Sequence, residues 1–472
     1  MLFNSIEYLW FFPTIFIFYW ILGRYSTLQN QNVFLLLASY FFYGSWSIFF
    51  LSILIFSTFL DYSLAFKVSS PSKKTAKTFL TLSVISNLGI LAVFKYYNFF
   101  VNELTESLTN VGIHASLPLL KLLVPVGISF YTFHGLSYVF DIYRDKQKPI
   151  KNIVDYALFV SFFPLLVAGP IERAGHLVPQ ISQKRIFNFK QAREGCYLIL
   201  YGFFKKIVIA DSLANIVNVT FEIHQNYTAM SLMLTAIAFS FQIYCDFSGY
   251  SDIAMGSSKL LGFEILSNFK FPYFSKNIKE FWKRWHISLS SWFREYLFIP
   301  LGGSKGSTLK TIRNIALVFV FSGFWHGANW TFLIWGSIHA LIYIVYVLSQ
   351  KKNANQPANL FRKTVQIVST FGLVTIAWVF FRAKTISEAL SYLRSIIANL
   401  YDCPDKFFTG EGLANTQVIP YILAVVLIDW KIRKEERNIA VPIIKNTTFL
   451  IVLLIVFKLI TNKEAQFIYF QF

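Results

Sequence analysis

The sequence predicts an all-α fold, a polytopic transmembrane bundle of about 11–12 spans with re-entrant and interfacial helices. Three observations predict it. Hydrophobic residues fill 55% of the 472 positions and charged residues only 14%, where a soluble domain carries roughly 25% charge. Aromatic residues reach 19%, with 53 Phe. Mean hydropathy is +0.51. About 12 spans of roughly 20 residues account for about half the chain. A soluble enzyme, a disordered scaffold and a secreted disulfide protein are excluded. Cys196, Cys245 and Cys403 show no paired metal spacing and read as core residues.

Apolar runs place spans near 5–24, 33–47, 48–66, 78–98, 121–141, 194–222, 229–249, 314–332, 333–349, 364–382, 414–430 and 446–460. The first run lacks a basic n-region and a small-residue cleavage site, so it reads as a retained anchor. A further run at 153–169 is interrupted by Pro164 and ends at Gly169-Pro170. It reads as a broken or re-entrant segment, tolerated only where protein or water covers its backbone. Residues 386–400 read as an interfacial amphipathic helix. With no internal repeat and no soluble domain, the chain is expected to be one integral-membrane domain over 1–472. N-terminal spans fill 1–152, a core with the histidine motifs 153–350, and C-terminal spans 351–472.

Charge then orients the bundle. The net charge is +19 and the pI about 9.6. On a membrane protein this is the positive-inside bias rather than a nucleic-acid footprint, so the expected contact is membrane lipid, with no nucleic acid. Segments 67–77, 142–152, 170–193, 250–313, 351–363 and 431–445 hold 32 of the 43 Lys and Arg, and all fall on one side of the proposed topology. Loop 99–120, on the other side, has two Glu and no basic residue. The N-terminus is therefore read as outside and the basic loops as cytoplasmic. Loop 383–413, with Lys384, Arg394 and Lys406 on the outer side, fits least well.

Three constellations carry chemistry. Residues 276–297 read as one amphipathic helix, with an apolar stripe at Ile278, Phe281, Trp282, Trp285, Leu289, Trp292, Phe293 and Tyr296. Lys276, Lys279, Lys283 and Arg284 form its basic face, suited to anionic headgroups. His286 lies on or beside the apolar stripe, where a histidine taken alone is more often a core residue than a catalyst. Pro300-Leu301-Gly302-Gly303 ends the helix, either as an ordinary turn or as a loop whose backbone approaches a ligand. The second constellation is Ser322-Gly323-Phe324-Trp325-His326-Gly327-Ala328-Asn329-Trp330. His326 lies about 20 Å into a span at the helical rise, and an intramembrane ionisable residue is by default a functional hypothesis. Either the span continues and His326 shares its depth with His339, or a break at Gly327-Ala328-Asn329 puts His326 at a helix end. The third is Asp246-Phe247-Ser248-Gly249-Tyr250-Ser251-Asp252. Asp246 is suited to orienting a histidine or holding a charged donor group; equally, the set is a polar network closing the span. His114, His134, His176 and His224 read as ordinary loop or core residues. No metal site is expected, because no histidine pair has ligand spacing with carboxylates.

An imidazole in a dry site can take a proton from a hydroxyl, the general-base arrangement for acyl transfer. At this point the residues carry a resemblance. Phe281-Trp282-Lys283-Arg284-Trp285-His286-Ile287-Ser288-Leu289-Ser290, continuing to Tyr296-Leu297-Phe298-Ile299-Pro300-Leu301-Gly302-Gly303, resembles the signature of the membrane-bound O-acyltransferase family, and more narrowly its alginate O-acetyltransferase branch. Phe324-Trp325-His326-Gly327-Ala328-Asn329-Trp330 with Trp335-Gly336 and His339 is similar to that branch's second histidine motif. Asp246–Asp252 and Ala168-Gly169-Pro170-Ile171-Glu172 also match its pattern. The similarity runs from the N-terminus to beyond residue 382.

The resemblance implies a bundle pierced by a funnel or tunnel, with His326 as the principal catalytic residue and His286 as its partner. Supporting or substrate-binding roles are expected at Asp246, Ser248, Tyr250, Asp252, Trp325, Asn329, His339 and Arg284. It implies no bound cofactor, with acetyl-CoA or another acyl thioester as donor substrate. It further implies a multi-pass protein of a bacterial cell membrane, an extracytoplasmic acetyltransferase- or esterase-like partner, and a polysaccharide acceptor. The alternatives are a transporter or flippase for a lipid-linked substrate, and D-alanyl or peptidoglycan acyl transfer within the same family.

Overall fold

The computed structural model describes every residue except 116, 121–123, 168, 351–358, 403–414 and 434–472. The span expected at 446–460 lies outside the described residues, as do Cys403, residues 403–413 of loop 383–413 and residues 434–445 of loop 431–445. The described residues contain helices and no strand. They divide into two compact units, Met1–Cys196 with Ala254–Leu266, and Tyr197–Ile253 with Ser267–Phe472.

The first unit opens with α1 (Ile6–Tyr25), α2 (Leu28–Gly44), α3 (Ile48–Val68) and α4 (Lys73–Leu91). Ser5, Thr27, Ser47 and Ser72 each cap the start of one helix by accepting a backbone amide, which satisfies a donor that has no intrahelical partner. A π-helical turn, Ala92–Tyr96, leads into α5 (Tyr97–Asn110), and α6 (Ile128–Tyr143) follows. Large apolar side chains such as Trp10, Phe41, Ile48 and Ile85 point outward and are exposed, as lipid-facing surfaces require. Polar groups turn inward. Ser83 and Asn87 donate to the buried Asp61 carboxylate at 2.6 and 2.8 Å. Arg185 donates to Gln31 and Asn32, and Asn32 in turn donates to Asp155 at 2.9 Å.

The interrupted run at 153–169 forms two pieces, α7 (Ile153–Ser161) and α8 (Phe163–Leu166). The Phe163 amide, freed by the break, donates to Ser39 Oγ at 3.1 Å. Phe162, Phe163, Leu165 and Leu166 are buried, so protein covers the broken backbone. Helix α9 (Ala174–Ile181) follows. Glu172, from the Gly-Pro motif, accepts the Leu266 amide at 2.5 Å and holds His176 at 2.8 Å. His134 Nε2 accepts the Glu172 amide at 3.1 Å, which gives that histidine a structural role.

The first unit's main segment ends at Cys196 within helix α10 (Phe189–Phe203), which is followed by a π-helical stretch, Phe204–Ala210, and α11 (Asp211–Glu222). The run read as one span at 194–222 is therefore one uninterrupted helical path with a π-helical stretch in its middle. Helix α12 (Ala229–Leu260) is continuous for 32 residues and contributes to both units. Then come α13 (Ile278–Arg284), α14 (Ile287–Phe293), α15 (Thr308–His326), α16 (Trp330–Gln350), α17 (Leu360–Arg382), α18 (Ile386–Asp402) and α19 (Ile419–Ile432). Among the described residues, six helices are long and apolar enough to cross a membrane by themselves. Of the other expected spans, those at α2, α6 and α19 have helices of only 17, 16 and 14 residues, while the one at 314–332 is met by α15, whose 19 residues begin at Thr308 and stop at His326. Helix α18 covers the stretch read as amphipathic at 386–400.

Candidate active site

The segment read as one helix over 276–297 is corrected by the structure. Asn277 caps α13 by accepting the Glu280 amide at 2.9 Å. The helix then stops at Trp285, which is extended, and His286 adopts a left-handed backbone at φ 43°, ψ 55°. Helix α14 starts immediately after and runs into a π-helical turn, Arg294–Phe298. Periodicity alone cannot see this break, because seven of the eight stripe residues are buried in both pieces. They pack on protein: the Trp285 ring lies 5.6 Å from Phe281, 5.0 Å from Phe269 and 4.9 Å from Trp378.

The break carries His286 into the interior, where it is fully buried. Phe247 from α12 stands edge-on to its ring at 4.7 Å and 90°. Burial pushes its imidazole down to about 3, so the ring is neutral at working pH.

His326 is the last residue of α15; Gly327 is extended and α16 begins at Trp330. Of the two readings left open by the sequence, the helix end is the one observed. Its ring lies 4.9 Å from Trp325, 5.1 Å from Trp335 and 5.3 Å from Phe381. Helices α15 and α16 form a hairpin whose backbones nearly touch. A Cβ on Gly323 would fall 2.2 Å from the Phe332 carbonyl oxygen, and one on Gly336 2.3 Å from that of Phe319. This close approach brings Trp335 onto His326. The rings of His286 and His326 are 6.5 Å apart, centroid to centroid, with Trp325 beside both. Two buried imidazoles from separate motifs thus converge on one place.

The model of the membrane-bound O-acyltransferase family matches this chain over residues 3–386. The chain belongs to that family. It is 40% identical over 432 residues to the probable alginate O-acetylase AlgI of Azotobacter vinelandii, covering 91% of this chain and 84% of that one. It is 35% identical over 432 residues to the peptidoglycan O-acetyltransferase of Helicobacter pylori, covering 84% and 80%. It is 30% identical over 277 residues to the teichoic acid D-alanyltransferase of Bacillus subtilis, covering 55% and 69%. The protein is a multi-pass membrane O-acyltransferase.

The other residues expected to serve the acyltransferase are placed as follows. Asp246, Ser248, Tyr250 and Asp252 are buried on α12 and engaged by two consecutive lysines, Lys205 and Lys206. Lys205 Nζ lies 2.5 Å from Asp252 and 2.9 Å from Ser248 Oγ. Lys206 Nζ lies 2.7 Å from Asp246, 2.8 Å from Asp211 and 5.8 Å from the Tyr250 ring centroid. Two consecutive lysines reach α12 because the π-helical stretch lies against it. The approach depends on facing glycines: a Cβ on Gly202 would sit 2.6 Å from the Gly249 carbonyl oxygen. Nearby, Tyr201 and Tyr244 donate to Asp429 at 2.7 and 2.9 Å. The available signal was Lys205-Lys206 inside an otherwise apolar run, since buried charges must be paired.

Arg284 pairs with Glu280 at 2.9 Å and donates to the Lys270 carbonyl at 3.1 Å. Asn329 accepts the Thr331 amide and donates to the Lys384 carbonyl, both at 2.9 Å, and so fixes the turn after His326. His339 is fully buried, and neither ring nitrogen has a hydrogen-bond partner among the described residues. Its ring lies 4.9 Å from Trp335, which separates it from His326. In the Gly302-Gly303 turn, Asn314 donates to the Leu301 and Gly303 carbonyls at 3.1 and 2.9 Å. Among the described residues no group of three or more His, Cys, Asp or Glu is gathered as a metal ion would require.

Proposed function

We propose that the protein moves an acetyl group from a cytoplasmic thioester, acetyl-CoA or a related donor, to a hydroxyl of an extracytoplasmic polysaccharide or to a partner protein that acetylates it. The observation that carries this reading is the pair His286 and His326, buried with ring centroids 6.5 Å apart. His326 acts as the general base. It takes the proton of the acceptor hydroxyl as that oxygen attacks the thioester carbonyl carbon. The carbon–sulfur bond then breaks, and the imidazolium returns the proton to the leaving thiolate. His286, neutral and adjacent, polarises or positions the reacting group. Trp325 orients both rings, and His339 supports His326 through Trp335. The α12 set of Asp246, Ser248, Tyr250 and Asp252 holds the wall behind His286, with Arg284 and Asn329 fixing the turns beside the two histidines.

The names of the relatives support a polysaccharide acceptor, since they include alginate and peptidoglycan O-acetylating proteins. Coverage supports acetyl over D-alanyl transfer: the alginate-type relative matches 91% of this chain, the teichoic acid relative 55%. The clustering of basic segments on one side supports an outside N-terminus and donor entry from the cytoplasm of a bacterial cell membrane. The test is a His326→Ala protein shown to insert at the parental level. O-acetyl ester in the surface polysaccharide should disappear, and retained acetylation overturns the reading.

A further inference from the structure

We infer that Asn268 is the positioning residue that holds His286 in place for acyl transfer. The inference rests on the proposed role of His286. The starting point is the backbone of that histidine, left-handed at φ 43°, ψ 55°. Non-glycine residues rarely adopt this region, and such a conformation persists only where the surroundings over-determine it. Asn268 bonds to the chain immediately after His286 with both backbone and side chain. Its carbonyl accepts the Ile287 amide at 2.9 Å, directly after the histidine. On the other side of the break, the Lys270 amide donates to the Arg284 carbonyl at 2.9 Å. The chain at 268–270 therefore runs along the interruption and replaces the helical bonds lost there.

The Asn268 side chain completes the clamp. Its Oδ1 accepts from Ser288 Oγ at 2.6 Å, and its Nδ2 donates to Ser251 Oγ at 3.2 Å. The residue is fully buried. Ser251 lies one helical turn beyond Phe247, whose ring stands against His286 at 4.7 Å. The next residue, Phe269, stacks on the His286 ring at 6.4 Å and meets Phe247 edge-on at 5.0 Å. One amide group thus ties the backbone that carries the histidine to the helix that walls its ring. A carboxylate would keep the acceptor and lose the donor, and alanine loses both.

The experiment uses membrane vesicles from cells producing the full chain, which retain any partner, with radiolabelled acetyl-CoA as donor and label in glycan as readout. Asn268→Ala should lower kcat about 10- to 100-fold, the scale of a misplaced catalytic group, with KM for acetyl-CoA within about two-fold of the parent. The same substitution in a His286→Gln background should lower the remaining rate by less than about two-fold, because the group it positions is gone. A purely structural role predicts equal losses in both backgrounds, and that result overturns the inference. So does a parental kcat in Asn268→Ala. If that variant fails to insert, Ser288→Ala removes the same contact from its partner and must show the same background dependence; equal losses again overturn the inference. His286→Gln at the parental rate sinks the reading of the site itself. Loss in His286→Gln with a parental rate in Asn268→Ala sinks only the assignment of Asn268.

Discussion

Lys206 Nζ lies 2.7 Å from Asp246 and 2.8 Å from Asp211, with its side chain almost completely buried. This lysine ties the acidic motif of α12 to the π-helical stretch that precedes α11. Removing one partner of a buried ion pair leaves an uncompensated charge, at a cost of about 3–5 kcal/mol. Lys206→Met should therefore lower the thermal midpoint of the detergent-solubilised protein sharply. The triple variant Lys206→Met, Asp211→Asn, Asp246→Asn should recover most of the loss. A Lys206→Met protein as stable as the parent contradicts this account.

The two site histidines should not act independently. Loss of a general base removes about 10²–10⁴ in rate, and groups that serve one step are strongly non-additive. His286→Ala and His326→Ala should each reach nearly the same low rate, with the double variant no lower by more than about ten-fold. Initial rates of acetyl transfer in vesicles check this, and losses that multiply would place the two rings in separate steps.

Stability should fall in acid partly through His286. Burial holds its imidazole down at about 3, whereas an unfolded histidine titrates near 6.5. Between those values the unfolded chain takes up a proton that the folded chain refuses. The contribution is complete above about pH 6.5 and is lost progressively as pH falls toward about 3. His286→Gln does not titrate, so its thermal midpoint should decline less between about pH 7 and about pH 4.5. Parallel curves for the two proteins would show that the folded ring protonates freely.

The α15–α16 contact should tolerate no side chain at its crossing. A Cβ on Gly323 meets a backbone oxygen at 2.2 Å, whereas one on Gly372 meets nothing within 4 Å. Gly323→Val should cost at least about 2 kcal/mol through overpacking, while Gly372→Ala should be neutral or slightly stabilising in its helix. Thermal unfolding and membrane yield of the two variants compare them directly.

Much of this architecture was readable from hydropathy and residue type. The apolar runs mark the long helices, Pro164 marks the interrupted pair α7 and α8, and Gly327-Ala328-Asn329 marks the helix end at His326 as one of two readings. The stripe through 276–297 misleads because burial on both sides of Trp285 preserves its spacing while a single left-handed residue redirects the chain. Lys205 and Lys206 barely alter the hydropathy of the long apolar run around them, so their pairing with α12 shows only in the structure. Asn268 carries no signal at all: its importance lies in tertiary hydrogen bonds to Ser251 and Ser288. Hydropathy misjudges where α19 begins, since the apolar run starts at 414 and the helix at Ile419.

The π-helical stretch Phe204–Ala210 bears on how such sequences can drift. A π turn is an α-helix with one extra residue, so deleting a single codon there would restore regular winding and leave the hydropathy profile almost unchanged. The downstream helix would keep its orientation, because the bulge is what absorbs the extra residue, but the stretch would no longer present two consecutive lysines to α12. Insertions and deletions in this stretch should accordingly be purged even where most of its individual side chains can be exchanged.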